Sequence, residues 1–460
     1  MGSMMHYPFA TGSALSRGVH RSRSAHFTKS LFLAAAERIA TLIVPYSLPA
    51  LRQPFRGIAL VLGLSLLWHL SECSPAPSAA LAPPPFRAHP GSLTALPPVK
   101  LSLSGPWRFA TDPDVVGHTR GWEQQGFNDD DWQSVTVPHT WNVMPEHADY
   151  AGIAWYRRQV TLPPVTGEAH VRLHFGAAFY LAQVWWNGVY LGEHEGGYTP
   201  FEFDVSGLAQ PGTANVLAVR VDNRRAMDRL PAALISRWSF DWWNYGGLVR
   251  DVTVHLSSPA FIAHQRLVAV PELVGVGQAK AATLTATVTV TNASSQWLEG
   301  VLTGEAHGEA DSRAAVVNAP AAPVRLPPGA SGEVTLTATI PEPTLWRFDH
   351  PHLYRWVATL QETGGRVLHT ADETFGVRAI ELREARLHLN GEPVRLVGVA
   401  RHADSPAYGL AEPVTVMATD FSDMKRLNAV LSRPVHYPQA ESVLDYADRH
   451  GLLLIPEIPA

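Results

Sequence analysis

A single cysteine, Cys73, stands in 460 residues, so an intrachain disulfide framework is excluded and stability must come from apolar packing. Basic residues do not gather into one run and the formal net charge is -5. There is accordingly no electrostatic footprint for nucleic acid, and no nucleic-acid partner is expected. Long apolar runs are almost absent. The one extended stretch covers residues 57–70, behind Arg52 and Arg56. At about 14 residues it is too short for a membrane span and suits the apolar core of a secretory signal. A buried helix opening a domain is the other reading; the Ser/Pro/Ala-rich sequence that follows argues against it.

The segment 51–73 is therefore read as a signal peptide, and a secreted or periplasmic location is expected. Leu70-Ser-Glu-Cys73 resembles a lipoprotein box, although Glu72 occupies a place where that pattern has a small residue. A membrane-anchored lipoprotein, held only through a lipid on Cys73, is thus a variant of the same expectation. Residues 1–50, rich in Ser, Arg and His without a period, read as a disordered extension or a misassigned start, with initiation near Leu51. His6, His20 and His26 in that stretch have no metal-ligand spacing. Residues 74–98 have the Pro/Ala/Ser composition of a flexible linker.

What the chain has in quantity is tryptophan and proline, 14 and 37 residues, with 46% hydrophobic and 17% charged residues. That balance belongs to a folded protein of about three domains. From residue 99 short β-like runs follow one another, at 171–175, 184–186, 216–221 and 252–256, and Asn187-Gly188 is a strong hairpin turn. Residues 99–258 are read as an all-β sandwich. Residues 282–291 and 332–340 alternate with period two, which predicts an immunoglobulin-like β-sandwich over 259–377. Beyond 378 the pattern changes. A hairpin around Asn390-Gly391 leads into a strand expected to be buried. A helix is predicted from Pro413 to Leu427, with Met417, Phe421, Met424 and Leu427 on one face. A short strand, a helix over 439–450 and the apolar run 452–455 complete the opening of a parallel α/β domain. Residues 378–460 are too few to close an eight-stranded barrel, which needs about 250 residues.

Three groups of residues carry a family resemblance. The first comprises Leu103-Ser-Gly-Pro-Trp-Arg-Phe109, Trp155-Tyr-Arg-Arg158, Val184-Trp-Trp-Asn-Gly-Val-Tyr-Leu-Gly192 with Phe201-Glu-Phe-Asp204, and Asp241-Trp-Trp-Asn-Tyr-Gly-Gly-Leu-Val-Arg-Asp251. The second is Gly398-Val-Ala-Arg-His402. The third runs from Asn428 through Arg433-Pro-Val-His-Tyr-Pro438 to Asp448-Arg-His-Gly451 and Ile455. Together they resemble glycoside hydrolase family 2, the family of β-galactosidases, β-glucuronidases and β-mannosidases. In one place the chain departs from the family pattern: Leu431 and Ser432 lengthen the segment between Asn428 and Arg433, which leaves the register of that strand open. The resemblance implies a multidomain chain: a sugar-binding β jelly-roll, an immunoglobulin-like sandwich, and the first strands and helices of a (β/α)8 TIM barrel.

A retaining glycosidase sets one carboxyl as acid/base and another as nucleophile, roughly 5 Å apart. In the family both are glutamates on later barrel strands, the first within an Asn-Glu pair, and this sequence contains no Asn-Glu. The resemblance therefore implies a hydrolase of O-glycosyl bonds in β-galactosides, β-glucuronides or related β-glycosides. Both catalytic residues would lie beyond Ala460, and the chain as given is expected to be inactive alone. It also implies substrate contacts from Asp241, His402 and His436, with a β-glycoside as partner and neither cofactor nor metal. Asp241 could instead cap a surface turn, and the two histidines could simply bond backbone inside a barrel. Arg401 is expected to form an ion pair beneath the pocket. Glu457 either supports the pocket from behind or begins a loop. Trp242, Trp243 and Tyr245 stack on sugar or pack between domains. Asp129, Asp130 and Asp131 are expected to be a solvated turn. The competing reading is a non-catalytic carbohydrate-binding or surface adhesion β-sandwich protein, against which the exposed strand edges of a half-built barrel argue.

Overall fold

The computed structural model describes Leu93, residues 95–226, Arg229, residues 242–308 and residues 311–458, with only the backbone described at 311–316. The segment 51–73 read as a signal peptide, Cys73, most of the stretch read as a linker and the N-terminal histidines lie outside the described residues, as does Asp241.

Ten strands build the first sandwich: β1 (Val99–Ser102), β2 (Gly105–Thr111), β3 (Gln133–Val137), β4 (Ile153–Thr161), β5 (His170–Phe175), β6 (Leu181–Trp186), β7 (Val189–Glu195), β8 (Phe201–Asp204), β9 (Ala214–Asp222) and β10 (Val252–Ser257). They pair antiparallel in two sheets, β1-β10-β5-β8 and β3-β2-β4-β9-β6-β7. Period-two alternation sends Trp107, Phe109, Tyr156, Leu173, Phe175, Trp186, Val219 and Val254 into the space between the sheets, where all are buried. Asn187 and Gly188, at φ of 52° and 81°, form the expected turn between β6 and β7.

The second sandwich comprises β11 (Ala260–Gly275), β12 (Gln278–Asn292), β13 (Leu298–Gly308), β14 (Asp311–Leu326), β15 (Ala330–Pro341), β16 (Tyr354–Glu362) and β17 (Val367–Phe375). Its sheets are β11-β12-β15 and β14-β13-β16-β17. The predicted alternations fall on β12 and β15, which pair with each other over their length and bury Leu284, Val288 and Leu336.

The remaining elements are β18 (Ile380–Arg383), β19 (Arg386–Leu389), β20 (Glu392–Pro393), β21 (Gly398–His402), α1 (Val414–Arg426), β22 (Leu431–Val435), α2 (Glu441–His450) and β23 (Leu453–Leu454). The Asn390-Gly391 hairpin joins β19 and β20. Strands β21, β22 and β23 form a parallel sheet: the opening strands of a TIM barrel with their two helices. Met417, Phe421 and Met424 of α1 pack on Val443 and Ala447 of α2.

Two expectations for this region fail. Leu427 is 73% exposed, because α1 ends at Arg426, Leu427 is the C-terminal cap, and Asn428 turns the chain away with φ of 59°. The strand after the hairpin was expected to be buried, yet Gly398, Val399 and Ala400 of β21 are exposed and only Arg401 is buried. Apolar composition promises burial only if something covers the strand. Among the described residues β21 pairs along one edge only, with β22.

Candidate functional site

The lengthened segment before Arg433 resolves into a single register. Gly398 pairs with Leu431, Ala400 with Arg433 and His402 with Val435. Parallel strands in register bring their C-terminal ends together, so His402, the last residue of β21, comes beside His436, the first residue after β22. Their rings lie 5.2 Å apart, nearly perpendicular at 71°. The chain leaving β23 brings Glu457 to the same edge, where one carboxylate oxygen lies 3.0 Å from His436 Nδ1 and the other accepts a hydrogen bond from Arg433 Nε. These contacts hold the Glu457 carboxyl below its usual range, the Arg433 bond contributing most. An ionised carboxylate can only accept, so His436 carries its proton on Nδ1 and leaves Nε2 for another partner.

Arg401 points the opposite way from its neighbour His402, as alternation along a strand requires. It is the expected ion pair: Nη2 reaches Glu412 at 2.7 Å and Asp420 at 2.8 Å, and the guanidinium lies over Phe421. The Glu412 side chain is as buried as that of Arg401, and its carboxyl is raised by that burial, with Arg401 opposing.

The first sandwich supplies the other wall. Trp242 sets its ring 5.4 Å from that of His436. Tyr245 donates to Asp404 Oδ1 at 2.6 Å, tying this loop to the one that follows β21. Burial and the Asp404 carboxylate raise the Tyr245 phenol, so it stays a neutral donor. Asn244 and Asn223 exchange side-chain-to-backbone bonds of 2.8 and 3.2 Å, and the backbone N–H of Gly246 donates to Asn142 Oδ1 at 2.9 Å. Gly247 completes the loop with φ of 149°; a Cβ there would come within 2.1 Å of the His139 carbonyl oxygen. This close approach needs glycine. Trp242 thus faces the histidine edge and Tyr245 packs between domains, whereas Trp243 is 39% exposed. Asp241 precedes this anchored loop, outside the described residues.

Tyr437 and Arg250, both within segments that carry the family resemblance, hold the site together through contacts that no local pattern announces. Tyr437 stacks on Tyr198 with ring centroids 4.0 Å apart and planes 3° from parallel. Arg250 bridges the same junction, donating to the carbonyls of Tyr198 at 2.7 Å and Pro438 at 2.6 Å. A cavity of about 550 Å³ lies behind this stack, lined by His139, Tyr198, Glu412, Tyr437 and Gln439 and by neither His402 nor His436. Farther off, Asp129 is not merely solvated: it pairs at 2.8 Å with Arg157, which is 2% exposed, so that acidic turn has a structural task.

Residues 100–259 match the sugar binding domain of glycosyl hydrolases family 2, residues 265–378 match the profile named for the family itself, and residues 380–460 match its TIM barrel domain. A β-glucuronidase of Paenibacillus borealis is 28% identical over 375 residues, covering 78% of this chain and 58% of that protein. A β-galactosidase of Thermoanaerobacter pseudethanolicus is 29% identical over 346 residues, 72% of this chain and 43% of that one. Among solved structures, a Bacteroides uniformis β-glucuronidase superposes with a TM-score of 0.68 at 28% identity, over 79% of this chain and 42% of that one. A Ruminococcus gnavus β-glucuronidase in complex with D-glucuronic acid superposes with a TM-score of 0.67 at 28% identity, over 79% and 60%. The chain spans roughly half the length of the relatives it matches.

Proposed function

This chain belongs to glycoside hydrolase family 2, and from that premise we propose that it forms the sugar-binding half of a retaining β-glycosidase acting on β-glucuronides or β-galactosides. The observation that carries the reading is the juxtaposition of His402, His436 and Trp242 at the open end of the parallel strands, with Glu457 orienting His436 from behind. Two imidazoles side by side offer a sugar ring hydrogen bonds, that of His436 through Nε2, and an indole beside them offers an apolar face. Asp241, directly before Trp242 in the chain, would add charge-assisted acceptance of a sugar hydroxyl. Hydrolysis needs two carboxyls about 5 Å apart across the scissile bond. With no Asn-Glu pair in the sequence, that pair is proposed to belong to the part of the family fold that this chain does not span.

The test has two readouts on the purified chain. Turnover of chromogenic β-glucuronides and β-galactosides is expected to be absent, and hydrolysis at rates lost in no His402 or His436 variant would overturn the assignment. Histidine NMR signals are expected to move on adding glucuronic acid or galactose, and to stop moving in His402→Ala and His436→Ala. Unmoved signals would count against the sugar site. Export through the 51–73 signal, with or without a lipid on Cys73, is proposed alongside; mass spectrometry of the mature N-terminus tests it.

A further inference from the structure

Away from the histidine edge, the first sandwich gathers cations on its outer face. Alternation in β1, β5 and β10 turns Leu101, Leu173 and Val254 toward the core, so their neighbours Lys100, Arg172, His174 and His255 share the opposite face. Antiparallel register sets Lys100 directly across from His255, and His255 across from Arg172. The second sandwich adds His369 from β17, and together these residues line a cavity of about 360 Å³. Lys100 and Arg172 thus stand on either side of His255, two strands apart.

The carboxylate supply falls short. Glu202, on β8, reaches Arg172 Nη1 only at 3.3 to 3.4 Å. Arg172 Nε is buried without a hydrogen-bond partner among the described residues, while its guanidinium is aimed by stacking 4.3 Å over Phe261. Burial is the main cause that holds His255 and His369 down to about 4, and Arg172 pushes both further the same way. His174 is lowered by burial, against the pull of Glu202 and of Glu441 from α2.

We propose that this cavity is an oxyanion-binding site, taking a sulfate or phosphate group between Lys100, Arg172 and His255. Such an anion would take charge-assisted hydrogen bonds from Lys100 and from the Arg172 guanidinium. It would also draw protons onto His255 and His369, so binding strengthens as the pH falls. The groups facing the site across that range are Lys100, Arg172, His174, Glu202, His255, His369 and Glu441. The source is either the free ion or a sulfated or phosphorylated sugar, and the site is independent of the glycosidase reading.

Isothermal titration of sodium sulfate into the full chain at mildly acidic pH, against sodium chloride at matched ionic strength, tests the proposal. Saturable one-to-one binding with net proton uptake is expected for sulfate alone. Arg172→Gln is expected to weaken it about tenfold or more. Glu202→Gln is expected to tighten it, an effect that a misfolded variant would not produce. Titration with glucose 6-sulfate separates the sources: tighter binding than inorganic sulfate assigns the site to a sugar-borne group, equal binding to the free ion. A response that never saturates, as general salt exclusion gives, would overturn the proposal, as would equal binding of chloride or unchanged affinity in both variants.

Discussion

Replacing Arg401 by Met tests the electrostatic floor of the parallel sheet. The change keeps the aliphatic stem and most of the volume while removing the charge. In the parent, Arg401 and Glu412 are 7% and 6% exposed and bonded at 2.7 Å, whereas Asp420, the other partner, is 49% exposed. Removing one member of a buried pair costs about 3–5 kcal/mol, because the other charge is left behind without compensation. The Asp420 contact, screened at the surface, adds at most about 1 kcal/mol. Glu412 has little prospect of another donor nearby: its Oε1 already lacks a hydrogen-bond partner among the described residues. Its remaining recourse is to take up a proton. The parent carboxyl is already raised by burial, and loss of Arg401 raises it further. A carboxyl raised in the folded state contributes stability that is complete below its unfolded value and is lost as pH rises through its folded value. The damage in Arg401→Met is therefore greatest near neutrality and shrinks on acidification, by up to about 1.4 kcal/mol per pH unit. Because a chain of several domains need not unfold in one step, the assay is hydrogen exchange of peptides from β21 and α1 at several pH values. A loss below about 1 kcal/mol near neutrality, or one that does not change between about pH 5 and pH 8, would show that the pair contributes no more than a surface contact.

Tyr437→Ala removes one face of the stack on Tyr198, and a loss of about 3–5 kcal/mol is expected for a buried aromatic, seen as faster proteolysis of the β21–β23 region with the first sandwich intact. Gly451, at φ of 68°, ends α2 with its Cβ position 2.2 Å from the Phe348 carbonyl oxygen. Gly451→Ala should cost more than the roughly 1 kcal/mol of a left-handed alanine alone, and a thermal midpoint equal to the parent's would refute the close approach. Arg433→Gln should raise the Glu457 carboxyl toward its ordinary value, since Arg433 is the main cause of its depression; carboxyl carbon NMR titration reads this directly. His139 is buried, bonded to the Tyr156 hydroxyl at 2.9 Å and held down to about 4 against an ordinary 6.5. Its unfolded form takes a proton first, so stability should fall as pH drops from about 6.5 toward 4, and near-UV circular dichroism of the parent against His139→Gln should show a flatter profile for the variant.

Strand and helix positions were legible because they depend on near neighbours. The alternation in 282–291 needed only its own period to become β12, and Asn187-Gly188 needed only its freedom at positive φ to become the β6–β7 turn. The same local rule placed Met417, Phe421 and Met424 on one face of α1, and failed at Leu427 because a helix end is set by capping rather than by period. His402 and His436 could be assigned to strand ends from their motifs. Leu431 and Ser432 nevertheless left the pairing open until hydrogen bonding with β21 settled the register.

By itself the sequence determined the order of elements, the two sandwiches, the family and the residues worth suspecting, all of which rest on patterns readable within a few residues of one another. Tertiary structure alone decided which distant side chains meet. Tyr198 and Tyr437 stack across the junction of two domains, Arg157 recruits Asp129 from a turn that looked merely solvated, and Glu412 closes on Arg401 beneath the sheet. It also decided that β21, apolar enough to seem buried, lies open. Burial and charge pairing depend on what lies opposite a residue in space, and residues far apart in the chain meet only when several elements have already packed.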